Sequence, residues 1–328
     1  MKILIIKPSS FGDIVQANPV ATALKQAFPD SSICWVVFDK FAPVTELFTN
    51  IDNKVIWNRS GGIKEFFSVA SKLRKMNFDI AIDLQGLFRT ALLARMSGAK
   101  KIISVPGAKE CSWLIIKEVF AKSKNLNAVI RNLETVRFFT EKKFKPEFKL
   151  ALKEDTVKLC KEKFSFLKDN SDQKIIGVVA SARGVGKEWD LKNYEVVISS
   201  LINKYQNVKI ILLGLDNKLT FENDRVVNFQ GKTTIAELTY LLKECSLVLG
   251  GDTGPMHLAS ALGVKVVMLF GSSDVNETAP IAENAVILHK IFPCSPCRGR
   301  TKCKDFKCIN DITSKEVLSV IENSCGLK

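Results

Sequence analysis

The chain has 328 residues with 48 Lys+Arg, 34 Asp+Glu and 2 His, a formal net charge of +14. Hydrophobic residues make up 46% and charged residues 25%, the balance of a folded protein, which excludes a disordered chain, a collagen-like chain and a small disulfide scaffold. The length suits two domains of roughly 150 residues, each large enough for its own core. No run approaches the ~20 consecutive apolar residues of a membrane-spanning helix. The four apolar residues between Lys2 and Lys7 are too few for a signal peptide, so the expected location is the cytoplasm.

In chain order, residues 3–6 read as a buried strand, followed by the turn Pro8-Ser9-Ser10-Phe11-Gly12-Asp13 and a helical period over 14–28. Runs at 33–38, 54–57, 78–83 and 101–105 read as further strands, with helical stretches between most of them. Residues 156–167 carry a helical pattern and 168–173 form a polar linker without apolar anchors. The pattern then restarts, with strands at 175–180, 208–213, 247–250 and 265–270, helices at 191–204, 234–245 and 254–263, and a last helical stretch at 314–321. Short strands alternating with helices predict βαβ units on parallel sheets. The expected fold class is α/β, with two Rossmann-like doubly wound domains. These are 1–168 and 169–312, the second with a Cys-rich loop at 294–308, followed by a terminal helix in 313–328.

Residues 1–150 hold 24 Lys+Arg against 13 Asp+Glu, a net of +11, and the remainder 24 against 21, a net of +3. An excess of this kind attracts nucleic acid, an anionic membrane surface or an acidic substrate, although Lys-rich faces also serve solubility alone. Nucleic acid is disfavoured. Base stacking needs aromatic residues interleaved with the basic ones, whereas only 3 Tyr and 4 Trp are present and most of the 21 Phe sit in apolar patterns. Nine cysteines in a reducing compartment are not expected as disulfides. Cys34, Cys111, Cys160, Cys245 and Cys325 are scattered, but Cys294, Cys297, Cys303 and Cys308 crowd together. Four thiolates suit a closed, structural zinc or iron site; the alternatives are reduced surface thiols or disulfides formed on oxidation.

Two strand ends carry candidate chemistry. After the first strand, Gly12 permits a tight turn and Asp13 falls at a helix start, either as a helix cap or as a carboxylate turned to a ligand crevice. With only one glycine, the segment is not a dinucleotide fingerprint. In the second half, Leu249-Gly250-Gly251-Asp252-Thr253-Gly254-Pro255-Met256-His257 runs from a strand through a Gly-rich turn into a helix. Amides at such a helix start suit a phosphate, and Thr253 and His257 could reach the same anion. Upstream, Ser181, Arg183 and Lys187 flank the Gly184 and Gly186 loop, which places a cation near the same group.

These segments together resemble glycosyltransferase family 9, the ADP-heptose:lipopolysaccharide heptosyltransferases. The resemblance is carried by Phe11-Gly12-Asp13, Asp83-Leu84-Gln85-Gly86-Leu87, Gly251-Asp252-Thr253-Gly254-Pro255-Met256-His257, Ala261-Leu262-Gly263 and Phe270-Gly271, and spans nearly the whole chain. It implies a GT-B architecture, two Rossmann-like domains facing across a cleft with the last helix packing back on the first. It also implies inverting transfer of a heptose from ADP-heptose to the lipopolysaccharide inner core. By resemblance, Asp13 matches the general base and Lys187 the lysine on the donor phosphates. Asp252, Thr253, Gly254, Pro255, Met256 and His257 match the donor loop, and Thr233 lies near the adenine and ribose. The acceptor, Kdo–lipid A or its heptosylated form, carries carboxylates and phosphates, for which Ser10, Gly12, Arg59, Lys64, Gln85, Arg89 and Arg131 are candidates, with Lys100 and Lys101. No cofactor is implied for catalysis, and peripheral contact with the cytoplasmic face of the inner membrane is expected. Some relatives carry similar C-terminal cysteines that hold a metal. The chain departs from many relatives in having Gln16 and Asn127 where they carry histidines, and both positions bear on the acceptor. A protein acceptor or another nucleotide-sugar, such as UDP-GlcNAc, are the competing substrates.

Overall fold

Ile3, Leu4, Ile5 and Ile6 are wholly without solvent exposure. A strand covered on both faces has no reason to alternate, so it reads as an unbroken apolar run. In the computed structural model, which describes residues 1–118, 126–167, 172–184, 186–299 and 303–327, this run is β1 (Lys2–Ile6) of the unit Met1–Ala151. The other strands are β2 (Ser32–Phe38), β3 (Asn53–Trp57), β4 (Ile80–Asp83), β5 (Lys101–Ser104) and β6 (Lys117–Glu118). All are parallel, in the order β3-β2-β1-β4-β5-β6. The helices are α1 (Phe11–Ala27), α2 (Ala42–Thr45), α3 (Gly62–Lys75), α4 (Phe88–Met96) and α5 (Ala128–Thr140). Phe66, Val69 and Leu73 of α3 and Leu93 of α4 share a core with Leu4, Ile6 and Val36 of the sheet. Each fully buried aliphatic side chain there contributes roughly 1.5–3 kcal/mol. α1 packs along α5.

The unit Leu152–Lys328 repeats the plan. It contains α6 (Glu154–Lys163), β7 (Lys174–Val179), α7 (Leu191–Lys204), β8 (Val208–Leu213), β9 (Val226–Asn228) and α8 (Ile235–Glu244). It continues with β10 (Leu247–Gly251), α9 (Gly254–Ala261), β11 (Val266–Phe270), α10 (Val275–Thr278), β12 (Ala285–His289), α11 (Lys307–Asn310) and α12 (Ser314–Cys325). Its sheet is also parallel throughout, in the order β12-β11-β10-β7-β8-β9. In each sheet the chain first winds outward on one side and then crosses back. The strand order therefore reverses between β1 and β4 in the first unit and between β7 and β10 in the second. Open α/β sheets bind ligands at such a point, beyond the carboxyl ends of the strands.

One expected boundary moves. The first unit ends at Ala151 rather than 168, because α6 packs on α8 and the Phe164 ring lies 5.3 Å from that of Phe229. Of the expected linker, residues 168–171 lie outside the described residues. The terminal helix has its contacts within the second unit. Val317 and Ile321 enter that core with Ile198 and Leu201 of α7, Trp189 Nε1 donates to the Ile312 carbonyl at 2.9 Å, and Glu322 accepts from Lys204 and Tyr205. An amphipathic helix follows its apolar stripe, and this one finds its cover on α7. Strands β6, β9 and β12 were not foreseen; all three are sheet edges, β6 and β9 are only two and three residues long, and β9 and β12 are only partly buried.

Candidate active site

In the second unit the two strands at the reversal point end in opposite charges. The loop after β7 is clipped to the neighbouring strand ends: Ser272 N–H donates to the Gly186 carbonyl at 3.0 Å. A Cβ at Gly271 would strike that carbonyl, and one at Gly251 would strike the Lys187 carbonyl. Glycine at these two positions lets the backbones touch, and the contact delivers Lys187 to Asp252. The ammonium stands 2.6 Å from Asp252 Oδ2, and Oδ2 also accepts from Ser273 Oγ at 2.6 Å. His257 Nε2, one turn into α9, lies 2.9 Å from Asp252 Oδ1. Burial by itself would push the Asp252 carboxyl up. The hydrogen bond and charge of His257 and the Lys187 ammonium outweigh it, and the group is held far below the usual carboxylate range. Asp252 thus stays ionised and aims two side chains. The Lys187 side chain keeps 29% of its surface open to a ligand.

The first turn of α9 completes the anion cradle. Its opening amides have no intrahelical partner; Pro255 has none to give and His257 N–H is taken by the Thr253 carbonyl at 3.1 Å, which leaves Gly254 and Met256. Thr253 Oγ is a buried hydroxyl without a hydrogen-bond partner, at the place where a phosphate oxygen would supply one. Ser181 is buried at the end of β7, Thr233 is half-buried just before the α8 cap Thr234, and Arg183 is exposed on the loop.

In the first unit the reversal point holds a second charged cluster. Asp13 lies in the first turn of α1, and its Oδ2 accepts from Ser10 N–H at 2.9 Å and Ser10 Oγ at 2.6 Å. Lys7, the residue after β1, is 7% exposed and donates across the crevice to the Leu84 carbonyl at 3.0 Å. Burial pushes its ammonium down; the charges of Asp13 and Asp83 pull it up, and those of Arg131 and Lys109 press against it. Asp83, at the end of β4, has no exposure and accepts from Gln85 N–H at 3.0 Å, Gly86 N–H at 3.1 Å and Thr90 Oγ at 3.1 Å. Gln85 Oε1 and Arg131 Nε are buried without partners, an acceptor and a donor open to a polar ligand. Lys7 was not singled out in the sequence, and Asp83 was noted only within its motif. The signal for both was a charged residue directly after a run of apolar strand residues, Ile3–Ile6 and Ile80–Ile82. Groups perturbed in this way cluster at functional sites.

Burial raises the Asp83 carboxyl to about 6, against the pull of its hydrogen bonds from Gly86, Thr90 and Gln85 and the charge of Lys7. The folded protein therefore keeps this proton to about pH 6, whereas the unfolded chain loses it near ~3.9. Stability from this group is greatest at low pH and falls as pH rises through that window, by roughly 3 kcal/mol once both forms are ionised. Asp83→Asn removes the fall. Its melting temperature relative to wild type should climb by several degrees between about pH 4.5 and 7, measured by calorimetry. Melting curves that stay parallel across this range would refute the assignment.

The remaining expected residues divide by sheet edge. Ser10, Gly12, Arg59, Lys64, Gln85 and Arg89 all follow carboxyl ends of strands, and Arg131 on α5 faces Lys7. Lys100 and Lys101 do not join them. Lys101 opens β5 and Lys100 pairs with Asp79 at 2.7 Å, at the amino edge of the same sheet. None of the four clustered cysteines is in a disulfide; Cys308 is buried and Cys294 exposed. Burial raises the Cys308 thiol, and Cys297, Cys303 and Cys294 raise it further. Yet among the described residues no three His, Cys, Asp or Glu side chains are arranged to hold a metal ion. The zinc or iron site expected at these cysteines is not confirmed by this arrangement.

The sequence profile of glycosyltransferase family 9 (heptosyltransferase) matches residues 66–307, most of the chain. The chain belongs to this family. Lipooligosaccharide heptosyltransferase 2 of Campylobacter jejuni is 28% identical over 98% of both chains. The structure of a family 9 glycosyltransferase from Veillonella parvula superposes with a TM-score of 0.86 at 19% identity, covering 100% of this chain and 98% of that one. The ADP-heptose LPS heptosyltransferase II of Escherichia coli gives a TM-score of 0.81 at 21% identity, over 99% of this chain and 98% of that one. The family 9 assignment makes the chain a glycosyltransferase, and the doubly wound fold of both units agrees with it. Among the described residues, no helix is long and apolar enough to cross a membrane.

Proposed function

We propose that the chain transfers a heptose from ADP-heptose, with inversion, to the inner core of lipopolysaccharide in the cytoplasm. The observation that carries this reading is Lys187 held on Asp252 beside an open helix start and the unpartnered Thr253 hydroxyl. That combination is the chemistry of a diphosphate leaving group. The names of the similar proteins supply the sugar and the acceptor class: a lipooligosaccharide heptosyltransferase and an ADP-heptose LPS heptosyltransferase.

Asp13 takes the proton of the acceptor hydroxyl while that oxygen bonds to the anomeric carbon. The bond from that carbon to the phosphate oxygen breaks, and ADP departs with the electron pair. Ser10 orients the base through its two hydrogen bonds. Lys187, with the amides of Gly254 and Met256 and the Thr253 hydroxyl, stabilises charge growing on the leaving phosphate. Gln85 and Arg131 offer an acceptor and a donor to a hydroxylated, carboxylated sugar. No step runs through a metal.

The test is release of ADP from ADP-heptose with Kdo–lipid A, with heptosylated Kdo–lipid A, and without acceptor. Release that depends on either lipid acceptor, inhibited by ADP and not by UDP, supports the reading. Binding of ADP with no release on either acceptor removes the substrate assignment, and inhibition by UDP in place of ADP removes the donor.

A further inference from the structure

Lysine is among the residues least often buried, yet Lys7 is 7% exposed and is anchored at three points. Its N–H donates to the Val36 carbonyl of β2 at 3.3 Å, and its carbonyl accepts from Trp35 Nε1 at 3.2 Å. The side chain crosses to the Leu84 carbonyl, just past β4, at 3.0 Å. Because β1 lies between β2 and β4, the residue is tied to all three central strands near their carboxyl ends. The Leu84 carbonyl is neutral, and one such hydrogen bond does not offset the desolvation of an ammonium. The fold thus keeps a cation in an unfavourable place and fixes it there.

The charges that act on this ammonium come from four elements. Asp13 on α1 and Asp83 at the end of β4 favour it; Arg131 on α5 and Lys109 in the loop after β5 oppose it. Farther along α5, Glu134 pairs with Arg137 at 3.3 Å, and α2, which packs on α1, has no ionisable side chain. The two carboxylates differ. Asp83 has no exposure and is committed to the donors of Gln85, Gly86 and Thr90. Asp13 is partly exposed at the crevice. Coulomb attraction is mutual, so whatever Asp13 does for the charge of Lys7, Lys7 does for the charge of Asp13.

An acceptor with carboxylates or phosphates brings more negative charge into this crevice, where the Arg131 Nε is buried without a partner. A like charge nearby raises the proton affinity of a carboxylate, so the base would be neutralised by the binding of its own substrate. A cation on the surface is screened by salt, whereas a buried one is screened much less. We infer that Lys7 is a positioning residue of the proposed transfer: its buried charge holds Asp13 in the ionised form while an anionic acceptor lies beside it. The inference rests on the reading of Asp13 as the general base.

Two variants separate the charge from the hydrogen bond. Lys7→Met removes both; Lys7→Gln keeps an N–H for the Leu84 carbonyl and removes only the charge. In both, the acid limb of the pH dependence of kcat/KM for the lipid acceptor should move up by about one unit. Turnover is then lost most at low pH and approaches wild type at high pH, because without the cation Asp13 keeps its proton to a higher pH. The Asp13 carboxyl is also read directly, by carbon-13 NMR of protein labelled at the aspartate carboxyls, its signal being the one missing from Asp13→Asn. Its titration midpoint should rise by the same amount in both variants. A change in Lys7→Met with none in Lys7→Gln would assign the residue to the Leu84 hydrogen bond and overturn the inference. So would an unmoved midpoint, or a rate loss equal at every pH, which marks a lost acceptor contact. If wild type transfers no heptose to either lipid acceptor while the midpoint rises in both variants, the transferase reading fails and the coupling of Lys7 to Asp13 stands.

Discussion

Asp13→Ala and Asp13→Asn should both reduce heptosyl transfer by ~10²–10⁴, the usual contribution of a positioned general base, with ADP binding unchanged. The two variants separate a chemical role from a structural one. Asp13 Oδ2 receives the Ser10 N–H and Oγ–H, closing the start of α1, and loss of a helix cap costs about 1 kcal/mol. Asparagine retains an oxygen for those bonds and loses the proton affinity; alanine loses both. Equal loss of turnover, with lowered thermal stability only in Asp13→Ala, identifies the base. If Asp13→Asn keeps more than about a tenth of wild-type turnover, proton transfer lies with another group.

Lys187→Met should lower kcat by ~10²–10³, the scale seen when one charge-stabilising donor is removed from an active site. The ammonium is held by Asp252 Oδ2 at 2.6 Å and is aimed by a loop that two close glycine contacts clip in place. Lys187→Arg should not rescue it, because a planar guanidinium cannot replace a compact charge at that distance without moving the loop. Asp252→Asn should lose activity to a similar degree, since it releases both Lys187 and His257. The double variant should be scarcely worse than either single one, as expected of residues that work as one unit. Steady-state kinetics with ADP-heptose, together with ADP titration of each variant, check this. Additive losses in the double variant would show that Lys187 and Asp252 act separately.

Much of this architecture was legible in the sequence. Wholly buried parallel strands read as unbroken apolar runs, so β1, β8, β10 and β11 fell close to where the periodicity put them. Turn chemistry was equally plain: glycine followed by a charged residue at a strand end marked both Asp13 and the 251–257 turn. These are local properties, set by neighbours within a few residues, and they were enough to place the family resemblance.

What the sequence could not contain was which strands lie side by side. Lys187 and Asp252 are 65 positions apart, and they meet because β7 and β10 are adjacent where the winding reverses. Lys7 reaches Leu84 for the same reason, through β1 and β4. Lys100 and Lys101 looked as suitable as Arg89 from composition, yet they lie at the amino edge of the sheet because they lead into β5, whereas Arg89 follows the carboxyl end of β4. Strand order also decided the place of α12, whose apolar stripe was evident but whose cover on α7 was not. Periodicity states that a side chain is buried; only the packed sheet, with its crossovers and reversal point, determines what it is buried against.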